Sequence, residues 1–67
     1  MISVTKENYG YIIRTDVDGY FILSTFVNVR GKDPVSWCAV ADVLLVKSYK
    51  TINAATKKGN TFIVENN

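Results

Sequence analysis

Sixty-seven residues with a net charge of +2 and 48% hydrophobic content are typical of a small folded chain and exclude the composition of a disordered one. Cys38 is the only cysteine and histidine is absent, which excludes an internal disulfide and a zinc site made of histidine and cysteine. We expect one domain over residues 1–67, with no cofactor and no metal. The lone thiol and the lack of a signal-like start predict a cytoplasmic protein without membrane partners.

The first half of the chain predicts a short strand followed by a β-hairpin. Ile2–Thr5 is apolar enough for a first strand, and Tyr9–Thr15 is rich in aromatic and β-branched residues. Asp16–Gly19 has turn chemistry, because glycine tolerates positive φ and aspartate accepts hydrogen bonds from the nearby backbone. Tyr20–Arg30 is the clearest strand, so the two longer segments predict a hairpin.

The middle of the chain has two interpretations. Residues 31–34 (Gly-Lys-Asp-Pro) predict a second turn. Asp33 as N-cap and Pro34 as first residue would suit a helix in the segment that follows. The β-branched valines that follow favour strands instead. We favour strands near Val35–Val40 and Val43–Lys47, with the helix as the alternative.

The end of the chain predicts a short helix and a closing strand. Thr51–Lys58 has a capping threonine and two alanines, and Gly59 suits the left-handed position after a helix. Thr61–Glu65 then predicts a strand. The fold class is therefore α+β, a small antiparallel sheet of four to five strands with one short helix near residues 51–58 packed on one face.

Alternation along the hairpin's second strand predicts which side chains meet that helix. One side is the more uniformly apolar and should face the helix: Phe21, Leu23, Thr25, Val27 and Val29. The other side mixes aromatic and polar groups, which is typical of protein interfaces if Tyr9 and Tyr11 share it. The alternatives are a curled sheet that buries both faces and a homodimer through this face or a sheet edge.

This mixed side gives the predicted partner-binding residues. The first group is Tyr20, Ile22, Phe26 and Arg30, and the second group is Tyr9, Tyr11 and Arg14. Catalytic residues are not predicted, because Cys38 has no histidine to activate it and every glycine is isolated. Asp16–Gly19 lacks the glycine and glutamate positions of a calcium loop. We therefore expect a binding protein and not an enzyme.

A lysine-rich segment supports nucleic-acid binding as the alternative function. Residues 43–64 contain no aspartate or glutamate, and the lysines there are Lys47, Lys50, Lys57 and Lys58. Such a segment attracts phosphates, although lysines near a helix end also complement the helix dipole. The modest net charge makes the electrostatic attraction small.

The segment Tyr49–Lys58 resembles an arrangement in small phage- and prophage-encoded accessory proteins. An aromatic residue and a lysine end a strand there, a threonine caps, and an alanine- and lysine-rich helix follows. The matching positions are Tyr49, Lys50, Thr51, Ile52, Ala54, Ala55, Lys57 and Lys58. The resemblance implies a non-catalytic modulator of a host protein or protein complex, of the kind that includes anti-CRISPR inhibitors. The basic composition departs from the acidic nucleic-acid mimics among them.

Overall fold

In the part of the chain that the structure describes, four antiparallel strands pair in the order in which they occur in the sequence, and one helix packs on one side of the sheet. The computed structural model describes residues 2–30 and 41–66. The elements are β1 (Ile2–Lys6), β2 (Tyr9–Thr15), β3 (Phe21–Val27), β4 (Asp42–Tyr49) and α1 (Ile52–Glu65), and the sheet order is β1-β2-β3-β4. The predicted α+β fold, an antiparallel sheet with one packed helix, is confirmed.

The β2–β3 hairpin closes with the turn that its residues predict. Gly19 has a left-handed backbone, with φ of 84°, and its amide donates to the Asp16 carbonyl oxygen at 3.1 Å. The Asp16 carboxylate accepts a hydrogen bond from the Asp18 amide, and the Asp16 amide donates to the Tyr20 carbonyl oxygen at 2.9 Å. These bonds set the register that pairs Thr15 with Phe21, and the predicted hairpin is confirmed.

Strand β3 ends at Val27, three residues earlier than the sequence predicts, because Asn28 has a left-handed backbone with φ of 61°. Its side-chain Nδ2 donates to Asp42 Oδ2 at 2.7 Å. The left-handed residue interrupts the strand alternation. Val29 therefore packs with Ile12 and Phe26, and the prediction that it faces the helix is wrong.

Strand β4 confirms the predicted strand at Val43–Lys47. Its pairing with β3 contains a β-bulge, since Thr25 pairs with Leu45 and Phe26 pairs with Val43, leaving Leu44 without a partner across the ladder. The predicted strand at Val35–Val40 and the alternative helix starting at Asp33 lie outside the described residues.

Helix α1 begins as predicted and ends seven residues later than Lys58. Thr51 caps it, because the Thr51 Oγ1 accepts a hydrogen bond from the Ala54 amide at 3.2 Å. The predicted strand at Thr61–Glu65 and the predicted terminal role of Gly59 are both wrong. Ala55, Gly59 and Ile63 are spaced by four residues and form the buried face of one continuous helix. Packing of that face against the sheet outweighs the β-propensity of the last residues.

The helix approaches the sheet most closely at Gly59. A Cβ atom at this position would lie 2.7 Å from Cε1 of Tyr11. Tyr11 and Ile13 of β2 and Leu23 of β3 are buried beneath the helix, together with Ala55 and Ile63. Gly59 is thus a contact residue of the core, which its sequence neighbours could not indicate.

Candidate protein-binding surface

The predicted partner-binding residues on the side away from the helix differ in their access to solvent. Tyr20, Arg14 and Arg30 are exposed, and Ile22 is half-buried. Phe26 is buried with Ile12 and Val29, so it cannot contact a partner without opening that cluster. Arg14 and Ile22 face each other across the β2–β3 ladder, while Arg30 lies beyond the opposite end of β3. The structure therefore brings Arg14, Ile22 and Tyr20 to one end of the sheet and separates them from Arg30.

The assignment of Tyr9 and Tyr11 as partner-binding residues depends on their sharing this side, and that condition is not met. Tyr11 is buried under α1, where its hydroxyl donates to Asn60 Oδ1 at 2.6 Å, and burial raises the pKa of its phenol. The Tyr9 ring meets the Phe62 ring edge-on, with 5.8 Å between centroids. Both tyrosines belong to the helix side because β2 alternates without interruption. They stabilise the helix–sheet contact.

The four lysines of the alternative function are exposed at three different places in the fold. Lys47 lies on β4, with its Nζ 5.5 Å from the centroid of the Tyr49 ring. Lys50 lies in the connection between β4 and α1. Lys57 and Lys58 lie on the helix, where Lys57 lines an open groove with Asn53 and Asn60. Binding of nucleic acid by these lysines stays a prediction.

Among the described residues, the longest run of exposed large apolar side chains is Val43–Val46, which the sequence analysis did not single out as a site. The side chains of β4 retain these exposed fractions: Val43 55%, Leu44 54%, Leu45 39% and Val46 58%. Strand β4 is an edge of the sheet, and within residues 2–30 and 41–66 no strand pairs with its outer side. An exposed apolar edge strand is a template for pairing with another chain.

The β4 side chains are exposed on both faces of the sheet. Leu45 lies opposite Thr25 on the helix side, and Val43 and Val46 lie opposite Phe26 and Ser24 on the other side. An unbroken apolar run is typical of a strand that is covered on both faces. That pattern is visible in the sequence, but only the sheet order shows that the run lies at an edge.

In the described part of the chain, no group of three or more histidine, cysteine, aspartate or glutamate side chains could hold a metal ion. The described helix is neither long enough nor apolar enough to cross a membrane. Comparison with protein-family models, curated proteins and solved structures finds no match to this chain.

Proposed function

We propose that this chain is a non-catalytic protein-binding module that binds its partner by strand addition at the outer edge of β4. The observation that carries the proposal is the exposure of four consecutive apolar side chains, Val43–Val46, on an edge strand. Isolated exposed leucines and valines are ordinary in soluble proteins, whereas a contiguous run at a sheet edge favours association.

Strand addition uses both the main chain and the side chains of such an edge. The main-chain N–H and C=O groups of a partner strand pair with those of β4, and alternate side chains of β4 make contacts above and below the new ladder. Ile22 and Arg14 extend this surface on the side away from the helix, because Ile22 pairs with Ser48 and Ser48 follows Val46 on that side. Their predicted contact with a partner is retained in the proposal, and Tyr20 lies next to them.

The resemblance of Tyr49–Lys58 to phage- and prophage-encoded accessory proteins sets the partner class to test first. A host protein complex in a bacterial cytoplasm, such as a CRISPR effector, is that class. A module of this size would inhibit by occupying a strand edge or groove that the complex uses, which requires no catalytic group on this chain.

The test compares two valine-to-lysine variants in a pull-down from bacterial lysate. Val46→Lys places a charge within the apolar run, at its most exposed residue, where it should abolish capture of a protein partner. Val17→Lys makes the same chemical change in the β2–β3 turn, where the valine is fully exposed, and should leave capture intact. Circular dichroism of both variants should match the wild type, because neither valine is buried.

Nuclease treatment and two salt concentrations complete the design. A protein band that survives both treatments, remains with Val17→Lys and disappears with Val46→Lys supports the proposal. Equal capture by both variants would show that β4 is not the binding strand. Retention that depends on nucleic acid, and is lost at high salt or on replacement of Lys47, Lys50, Lys57 and Lys58, would overturn the proposal in favour of nucleic-acid binding.

A further inference from the structure

We propose that the partner strand at the edge of β4 is β4 of a second copy of this chain, paired antiparallel with Asp42 opposite Lys47. This inference rests on the proposed function, since the second copy uses the same edge, which a host partner would occupy in its place. The supporting features are the charge pattern of residues 42–47, the β-bulge at Leu44 and the sides on which the β4 side chains lie.

The central residues of β4 are self-complementary. From Asp42 to Lys47 the sequence is Asp-Val-Leu-Leu-Val-Lys, an apolar palindrome with an acidic residue at one end and a basic residue at the other. When two such strands run antiparallel with Asp42 opposite Lys47, each Val43 meets a Val46 and the leucines meet at the symmetry axis. Opposite charges directly across a ladder stabilise pairing, and the contact is isologous as a twofold dimer requires.

The bulge makes this register compatible with the sides of the sheet. In a regular strand, residues five positions apart point to opposite sides, so a six-residue palindrome could not pair with itself about a twofold axis perpendicular to the sheet. Leu44 is the extra residue that removes this mismatch. Asp42 lies opposite Val27 and Lys47 lies opposite Leu23, which places both charges on the helix side.

The sides on which the two valines lie are also consistent with this register. Val43 lies opposite Phe26 and Val46 lies opposite Ser24, so both valines point to the side away from the helix. In the proposed pairing Asp42 therefore meets Lys47 and Val43 meets Val46 on the same side of the sheet. The two copies of Leu45 meet at the twofold axis, and Leu44 remains the extra residue, as it is in the pairing with β3. The two four-stranded sheets become one continuous sheet of eight strands, with both helices on the same side.

The dimer predicts a mass in solution that depends on concentration, which sedimentation equilibrium measures directly. The wild-type chain is expected to approach twice its monomer mass as its concentration rises, and Val46→Lys is expected to remain a monomer. Val17→Lys, as the matched control, should behave like the wild type. A wild-type chain that stays monomeric up to millimolar concentration, or a dimer that Val46→Lys does not disturb, overturns the inference.

Two charge variants test the register. Asp42→Lys and Lys47→Asp each place like charges opposite one another at both ends of the pairing and should raise the dimer Kd about tenfold. Mixing the two variants restores both opposite-charge pairs, so the mixture should form a heterodimer more tightly than either variant forms a homodimer. Glu7→Lys, which changes an exposed charge in the β1–β2 turn, should leave the dimer Kd unchanged.

The outcomes separate this inference from the proposed function. Asp42 also accepts the hydrogen bond from Asn28, so Lys47→Asp and the mixing experiment provide readouts that do not depend on that contact alone. The proposed register is overturned if neither charge variant changes the dimer Kd. It is also overturned if the mixture forms a heterodimer no more tightly than either variant forms a homodimer. A monomeric chain that loses a lysate partner only with Val46→Lys overturns the inference while the proposed function stands.

Discussion

The hydroxyl group of Thr25 lies in the middle of β3 on the helix side, where the residue is 2% exposed. Its Oγ1 has no hydrogen-bond partner among the residues that the structure describes. A buried polar atom in this condition loses its bonds to water on folding without gaining others. The shape of threonine suits the site, and its chemistry does not.

Thr25→Val is therefore expected to raise the free energy of unfolding by about 1 kcal/mol. Valine keeps the β-branched shape and removes the unpaired hydroxyl. Urea unfolding followed by circular dichroism measures the change. Thr61→Val serves as the control, because that hydroxyl is exposed and donates to the Lys57 carbonyl oxygen. An unchanged or lower stability of Thr25→Val would show that the hydroxyl is paired in solution.

Tyr11 gives the fold a dependence on alkaline pH. Burial raises the pKa of its phenol above the ordinary value of 10.0, which the unfolded chain retains. As pH rises past that ordinary value, the unfolded chain loses this proton before the folded chain does. The free energy of unfolding should therefore be constant, as far as Tyr11 is concerned, below about pH 10 and should fall above it.

Tyr11→Phe separates this effect from the hydrogen bond that the hydroxyl makes. The variant should lose about 1 kcal/mol at neutral pH, because Asn60 loses its donor. Its stability should then fall less steeply than that of the wild type in the alkaline range. Urea unfolding over a pH series measures both the loss of stability at neutral pH and the fall in the free energy of unfolding at alkaline pH. The same alkaline fall in the wild type and in Tyr11→Phe would show that Tyr11 does not cause it.

At the scale of elements, the close approach of α1 to β2 explains why a glycine is retained inside the helix. Gly59→Ala would gain up to about 1 kcal/mol of helix propensity. The new Cβ would lie 2.7–2.8 Å from three ring atoms of Tyr11, a buried ring held by Asn60. The clash should dominate, since overpacking a core costs typically about 1–3 kcal/mol.

We expect Gly59→Ala to lower the thermal midpoint, and Lys58→Ala, at the exposed neighbouring position, to leave it unchanged or raise it slightly. Combining Gly59→Ala with Tyr11→Leu should cost less than the sum of the two single changes, because the smaller side chain makes room. A stabilising Gly59→Ala would mean that the helix lies farther from the sheet than the structure shows.

The same elements show how far local sequence rules reach. Alternation correctly places Leu23 and Thr25 on the helix side because β3 is uninterrupted there. The rule fails at Val29, since Asn28 has a left-handed backbone and donates a hydrogen bond to Asp42 of another strand. By its local sequence, Gly59 predicts the end of a helix. Its actual role is to let the helix approach Tyr11, which is distant in sequence.

The candidate site is likewise predictable from the sequence only in part. The turn residues and the edge of the hairpin leave Arg14 and Tyr20 exposed, as the sequence predicts for contact residues. The run Val43–Val46 is visible in the sequence, but its exposure follows from the position of β4 at the end of the sheet order. Long-range pairing, which no local pattern encodes, decides that position.

At the scale of the whole molecule, β2 and β3 form the centre of the structure. Each has a paired strand on both sides, and apolar clusters lie on both of their faces. Opening either strand would disrupt the core, whereas β1 can detach from one ladder alone. The amides of β2 and β3 should exchange with solvent most slowly, and those of β1 faster.

Hydrogen exchange followed by NMR measures this order residue by residue. Ile12 in β2 and Ser3 in β1 face each other in the ladder, so the exchange rates of their amides can be compared directly. Slower exchange across β1 than across β2 would contradict the arrangement of the core.

The bulge at Leu44 determines where the chain can lose a single residue and still fold. Loss of one codon within a strand normally turns every following side chain to the wrong side of the sheet. Loss of the Leu44 codon would leave Asp-Val-Leu-Val-Lys, in which Val43 still aligns with Phe26 and Leu45 still aligns with Thr25. In a single-codon deletion scan with a folding reporter, Leu44 should therefore be tolerated, whereas deletion of Leu23 in β3 should not be.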